Sequence, residues 1–404
     1  MEDNDRTITL FTMIGHGTFH VYEMVIPLFV VVWLDAFDVS PAVIGTVVAV
    51  GYGLIGVGAL PSGALADRYG SKRLVVLSML GMAGGFVLIG LAPNVWLLTA
   101  ALVVWGAAAS LYHPAGLSLI TRGAQSRGTV LAYHGVAGNV GTAIGPLFAV
   151  ILLTALDWRL VSIALILPAL AGVAIAYRLE FDERDGVDAD ETTDIADRLG
   201  GLSKFFEQTK LLFVGGFIAV FFITMVAGVF YRGVFTFLPD ILAGLPVFGA
   251  VEVAGETVES SQYVYAGLLL IGGAGQYAGG RLSDLRSPEW VIAGVFGVLV
   301  LIGLSFPFVV ELGLAATLLI CAAIGFFVFM EAPVHQALIG KYAAADIHGL
   351  SFGYTYLGVF GIGALGASIA GVALTYGGTG LLFAVLAVFP AIGVALAGYL
   401  IVRK

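Results

Sequence analysis

The sequence predicts an all-α membrane protein with twelve transmembrane helices in two pseudo-symmetric six-helix bundles. Three observations carry this. First, the 404 residues are 59% hydrophobic and only 11% charged, against about 25% charged residues in a soluble domain. A soluble core cannot hide that much apolar surface, so the bilayer must be the solvent. Second, the apolar residues fall into twelve runs, and a helix needs about 20 such residues to cross hydrocarbon. Third, the polar turn Gly63-Ala-Leu-Ala-Asp67-Arg68-Tyr-Gly70-Ser-Lys72-Arg73 separates two runs, and Gly280-Arg281-Leu-Ser-Asp284 repeats its core in the second half. Turns this polar must lie at the membrane surface, and their recurrence says that the chain is built twice.

Taken in order, the first half supplies Ile8–Leu34, Ala42–Pro61, Leu74–Ala92, Trp96–Ile120, Thr129–Ala155 and Leu160–Tyr177. The turn at Gly63 to Arg73 divides the second from the third. The second half supplies Leu211–Leu238, Tyr263–Gly279, Val291–Val310, Leu312–Ile339, Gly349–Tyr376 and Gly380–Val402. The predicted organisation is a bundle over residues 1–177, a linker over 178–210 and a second bundle over 211–404. The 56 glycines suit helices that pack closely through small residues. Cys321, the single cysteine, permits no internal disulfide and reads as a small buried packing residue.

An even number of spans puts both termini on one side. All of the 18 Lys and Arg except Arg159 and Arg232 fall on that side. Basic loops mark the cytoplasmic face, so both termini are predicted to be cytoplasmic, in the cell membrane. No cleavable signal is expected, because the start MEDNDR is acidic and the run after it is too long for a signal core. Much of the net charge of −9 sits in Glu180 to Asp197, with more at Glu252, Glu256 and Glu259. These segments read as loops. The acidic bias suits a high-salt cytoplasm, or is simply a solvated linker. The linker's first part has too few apolar residues to fold alone. Its end, Leu199 to Lys210, has the spacing of an amphipathic helix on the membrane surface, or is the frayed start of the seventh span.

Ionisable residues cost about 2.5–3.5 kcal/mol at mid-membrane on insertion scales, so they face protein or water. Here they are uneven. The first span has His16, His20 and Glu23, the fourth His113, the seventh Arg232, the tenth Glu331 and His335, and the fifth His134. Spans three, six, nine and twelve have none in their interiors. One helix of each three-helix unit is therefore predicted to face a shared polar cavity, and another to face lipid. His16, His20 and Glu23 at i, i+4 and i+7 share one face. Two imidazoles and a carboxylate can take up and release protons near neutral pH. The plainer alternative is that each His satisfies a backbone carbonyl and never changes charge.

His113 precedes Pro114, and His134 is expected at similar depth on the neighbouring helix, where the two can share a proton or an anion. Pro114 frees a carbonyl one turn earlier. Arg232 is expected near the outer end of its span, as an anion site or as a gate paired with Asp240 or Asp35. Glu331 and His335, at i, i+4, can bond each other, and with His16, His20, Glu23, His113, His134 and Arg232 they are the candidates for proton coupling or substrate binding. In the fifth span Gly141 and Gly145 form a GxxxG packing face, and Pro146 adds a bend.

The turn Gly63-x-Leu-x-Asp67-Arg68-x-Gly70 with Lys72 and Arg73 resembles the signature loop of the major facilitator superfamily, two-fold-repeated secondary transporters. Ser71 stands where a basic residue is expected. The resemblance implies two six-helix bundles with a midplane site open alternately to each side. It also implies a cytoplasmic gate: Gly63, Asp67, Arg68, Gly70, Lys72 and Arg73 with Arg281 and Asp284, in which Asp67 meets a helix N-terminus and the basic residues bridge to carboxylates across the seam. Gly138-Asn139 through Gly145-Pro146-Leu147 resembles, in part, the antiporter motif. With Gly15-His16, Pro27 and His113-Pro114-Ala115, it resembles the fosmidomycin-resistance-type exporters. That subgroup usually has aspartate where His20 stands, and Glu23 is one turn away.

The expected function is that of a proton-coupled antiporter in efflux, with a small molecule and protons as partners and a monomer as the working unit. Uptake of an organic anion, held by Arg232 and the histidines, is the alternative. A non-transporting sensor that uses the acidic linker is a third reading. No phosphate-binding loop is present, so ATP hydrolysis is not expected. Linear spacing shows no metal-ligand set, cofactor motif, nucleic-acid-binding signature or nucleophile–base pair, so no enzyme activity, metal or cofactor is expected.

Overall fold

The computed structural model describes residues 1–186, 207, 209–213, 215–253, 256–343 and 348–403. Most of the segment read as an amphipathic helix at the end of the linker lies outside the described residues.

Span one is Asp3–Ala36, span two Pro41–Tyr69 and span three Ser71–Leu91. Span four comes in two pieces, Val95–Ala109 and Tyr112–Gly123. Span five is Arg127–Leu153, and span six is again in two pieces, Trp158–Ala164 and Ile166–Arg178. In the second bundle, span seven is Phe217–Ala243, span eight Ser260–Leu285, span nine Pro288–Val309 and span ten Leu314–Tyr342. Span eleven begins with His348–Tyr356, passes through a π-helical stretch, Leu357–Ile362, and runs on into Leu365–Val402. That last helix is broken at Gly378 (φ 65°, ψ −165°), a conformation open to a residue without Cβ, and the chain turns there into span twelve.

Ten stretches are apolar and long enough to cross a bilayer by composition alone, and Leu350–Val402 is one of them. Gly378 divides it in two. Ser260–Leu285, more polar because of residues such as Gln262 and Gln276, packs along span ten and against span five and completes the set. Twelve crossings therefore stand among the described residues. Span seven starts at Phe217 and not at Leu211, because Gly215 takes φ 81° and turns the chain before the membrane helix begins.

Burial follows the division between polar and apolar helices only in part: span three, with no ionisable residue in its interior, is 56% buried over its most apolar stretch, against 44% in span four and 50% in span ten. In span seven 78% of the most apolar stretch is buried, against 33% in span six and 39% in span nine. The outer spans turn Leu77, Leu88, Leu167, Leu170, Leu301, Phe308 and Val388 outward, as lipid-facing helices must. The two bundles meet where span two packs on span eleven, span five on span eight, and span one on span seven.

The span two–eleven seam is closed on the side away from the termini. Thr46 Oγ1 and Ser368 Oγ are 2.9 Å apart, and the Ala42 N–H donates to Thr375 Oγ1 at 2.9 Å. Gly45 sits on the Ala367 carbonyl and Gly56 on Gly361, so close that a Cβ at either would strike backbone.

Two segments read as loops behave otherwise. Ala250–Val253 and Glu256–Glu259 pair as an antiparallel hairpin, Ala250 opposite Glu259 and Val253 opposite Glu256. The start of the linker docks on the first bundle. Glu183 accepts from the Ser71 and Lys72 backbone N–H groups at 2.8 and 3.1 Å, Lys72 Nζ donates to the Leu179 carbonyl, and Arg127 reaches the Gly186 carbonyl at 2.8 Å. Residues 179–186 therefore do not fold alone; they use the helix ends of the first bundle as partners.

Candidate functional site

Span one carries the site's backbone. His16, His20 and Glu23 lie on one helical face, and Pro27 sits one turn beyond Glu23. Pro27 has no N–H to give the Glu23 carbonyl. Tyr52 of span two replaces it, donating from Oη to that carbonyl at 2.7 Å. The Glu23 side chain is 1% exposed and reaches in two directions. Its Oε2 is 2.6 Å from His20 Nδ1, and its Oε1 accepts from Arg232 Nη2 of span seven. Arg232 lies mid-span and not near the outer end, and neither Asp35 nor Asp240 is its partner. It is 2% exposed, and its guanidinium carbon lies 3.8 Å from the centre of the Tyr52 ring and 4.9 Å from that of Tyr231. Pairing and aromatic faces together offset the desolvation of the two charges.

Towards the termini the array continues through imidazoles. His20 Nε2 is 3.1 Å from His16 Nε2, and His16 Nδ1 donates to the His134 carbonyl at 2.7 Å. The His16 and His134 rings stack at 3.8 Å between centroids. Gly138 makes room for this, since a Cβ there would meet the His16 ring, and Gly141 lies on the Gly17 backbone. Tyr112 Oη gives its proton to the Thr12 carbonyl at 2.7 Å. The His134 Nε2–H must therefore donate to that hydroxyl oxygen, 3.2 Å away.

His113 joins from span four. The helix breaks at Ser110 and Leu111 and restarts at Tyr112, which puts Pro114 in a first turn where a missing N–H costs little. The His113 ring lies 5.2 Å from His16 and 5.9 Å from His20. It does not use the carbonyl that Pro114 frees, and its Nε2 is buried with no hydrogen-bond partner.

The second bundle closes over the cluster with span eleven. Tyr356 stacks on His113 at 5.0 Å, and Phe360 lies 6.0 Å from His113 and 5.3 Å from the Arg232 guanidinium. Both flank or lie in the π-helical stretch, a helix defect that recurs at functional sites. Sequence reasoning missed Tyr52, Tyr112, Tyr356 and Phe360, because one aromatic residue in an apolar run looks like any other. The signal that could have found Tyr52 is Pro27, which orphans a carbonyl that some donor must reach.

His16, His20, Glu23, His113, His134 and Arg232 thus meet at one place. Glu331 and His335 do not join them. Both are buried in span ten, they do not bond each other, and Glu331 Oε2 and His335 Nε2 have no partners. In the polar turn, Gly63 faces open space and Arg68 is exposed. Gly70 adopts φ 89° beside the Glu183 carboxylate. Lys72 bonds the linker, not a carboxylate of the other bundle. Arg73, Arg281 and Asp284 have no ion pair among the described residues. Gly145 lies on the Val21 backbone, and Pro146 is taken up within the helix. A cross-bundle bond not anticipated from sequence runs from Asn139 Nδ2 to Gln276 Oε1 at 2.7 Å.

Comparison with known proteins adds three findings. The family model described as Major Facilitator Superfamily matches residues 11–367. A triacylglyceride transporter of Mycolicibacterium hassiacum is 32% identical over 152 residues, covering 35% of this chain and 28% of that protein. Multidrug resistance protein MdtH of Shigella boydii is 29% identical over 148 residues, 35% of each chain. The matched segment thus spans about a third or less of these curated relatives. Among solved structures, a bacterial homologue of the human lysosomal transporter Spinster, inward-facing and occupied, superposes with a TM-score of 0.74 at 15% identity, over 99% of this chain and 97% of that one. The tetrameric PepTSo2 gives 0.71 at 16% identity, over 99% and 98%. At such identity these two show the fold alone.

Proposed function

The chain belongs to the major facilitator superfamily, and from that premise we propose that it is a secondary transporter which exports a small, apolar or amphipathic molecule in exchange for protons. Both termini face the cytoplasm in this reading. Residues 1–177 and 211–404 are the rocking units, and residues 178–210 join them. The polar turn of Gly63, Asp67, Arg68, Gly70, Lys72 and Arg73, with Arg281 and Asp284 opposite, is the cytoplasmic gate. The monomer is the working unit.

One observation carries the reading: the unbroken array from the His134 carbonyl through His16, His20 and Glu23 to Arg232 of the other bundle. A carbonyl at one end and a carboxylate at the other both accept. Three hydrogen bonds on two imidazoles then need three protons, one more than two neutral rings carry. Completing the array binds a proton, and losing that proton breaks a bond beside the Arg232–Glu23 ion pair that ties span seven to span one. Proton occupancy and bundle closure are in this way linked. Because Arg232 is already matched by Glu23, it offers no spare cation in this state, which favours efflux over uptake of an organic anion. The multidrug and triacylglyceride relatives point to apolar cargo.

The test is flux in proteoliposomes with an imposed pH gradient, using ethidium and a fluorescent triacylglycerol as probes. Accumulation inside inverted vesicles that tracks the gradient and vanishes in His20→Asn supports the reading. Flux that ignores the gradient removes the coupling, and flux only in right-side-out vesicles reverses the direction.

A further inference from the structure

His16, His20 and His113 each place one ring nitrogen so that all three lie within 4.8 Å of one another. They come from two helices, with His16 and His20 one turn apart on span one and His113 at the restart of span four. The geometry points to a binding site for one divalent transition-metal ion of the imidazole-preferring kind at the centre of the membrane domain.

Two further observations support a metal over a purely packed cluster. The first is the outer shell. A metal-ligating histidine almost always donates its other ring N–H to a carboxylate or a backbone carbonyl, which fixes the tautomer and turns the free nitrogen to the ion. Here His20 Nδ1 is bound to the Glu23 carboxylate at 2.6 Å, and His16 Nδ1 to the His134 carbonyl at 2.7 Å. The carboxylate is held in turn by Arg232. The two Nε2 atoms are left pointing at each other, 3.1 Å apart. The second is His113, whose buried Nε2 has no hydrogen-bond partner. One ring nitrogen of His113 thus stands near two oriented ones on a ring whose Nε2 no protein group engages.

The distances are close to what is needed. Nitrogens bound to one tetrahedral ion at about 2.1 Å stand about 3.4 Å apart. The His16–His20 separation already falls near this, and the widest pair closes by a ring rotation at His113, which no hydrogen bond holds. Three imidazoles with an open fourth position suit Zn, Co, Ni or Cu. Linear spacing hid the set, because ninety-odd residues separate His20 from His113.

The experiment is an equilibrium titration of the purified full chain, carried on a tag without histidine and stripped with EDTA, with Co²⁺ alone and then with Zn²⁺ in competition. The expected result is one Co²⁺ per chain with the ligand-field spectrum of nitrogen coordination, displaced by one equivalent of Zn²⁺. His113→Gln loses a ligand without removing a hydrogen bond, so it should fold as the parent does; it should weaken Co²⁺ by at least about 10–100-fold, the range seen even for outer-shell partners. The double substitution His16→Gln, His20→Gln should abolish binding. Melting temperature without metal checks the fold of each variant. Absence of stoichiometric uptake, or uptake unchanged in folded His113→Gln, overturns the inference. Binding is read without a gradient and does not rest on the proposed exchange, so failure of one leaves the other standing.

Discussion

Arg232 of span seven and Glu23 of span one form an ion pair at mid-membrane, with the two side chains 3% and 1% exposed. The pair joins the two bundles at the one place where each contributes a charge to the cluster. Neither charge can remain buried without the other.

Removing one partner should therefore cost more than removing both. Glu23→Gln or Arg232→Met alone strands a buried charge and should destabilise by about 3–5 kcal/mol, whereas the double substitution should recover much of that loss. Thermal melting in detergent ranks the three variants. A double variant that melts below both singles would mean the pair is not the source of the effect.

Pro27 and Tyr52 should be coupled. Tyr52→Phe removes the donor to the Glu23 carbonyl and should cost about 1 kcal/mol. In a Pro27→Ala background the restored N–H can serve that carbonyl, so the same change should cost less. A double-mutant cycle on melting temperature reads the difference; equal costs in the two backgrounds refute the assignment.

The seam between spans two and eleven should be lockable. Thr46 and Ser368 hold their hydroxyls 2.9 Å apart, so cysteines at both positions, in a Cys321→Ala background, should form a disulfide. Oxidation should stop ethidium flux and reductant should restore it, if that seam opens during transport. Full flux in the cross-linked protein would show that it does not.

Glu183 should anchor the polar turn. Glu183→Ala removes the acceptor of the Ser71 and Lys72 N–H groups. Proteolysis near residue 186 should then speed up while the cluster, measured by the melting of the membrane domain, changes little. An unchanged cleavage rate would mean that the linker is held by other contacts.

The sequence by itself determined the membrane, the number of crossings and the repeat, because a bilayer enforces them locally. Each run must be long and apolar, and each charged turn must stay at the surface. It also marked the helices that carry costly buried ionisable residues, of which spans one, four, five and seven meet in the cluster and span ten does not. What it could not decide was pairing. Arg232 was equally open to Asp35 and Asp240 until the bundles came together and gave it Glu23; Glu331 and His335 had the right helical spacing yet do not meet. Partner choice between helices depends on how glycines such as Gly138 and Gly141 let span five close on span one, and on which face the break at Ser110 turns inward. Those are properties of packing in three dimensions, and no single segment carries them.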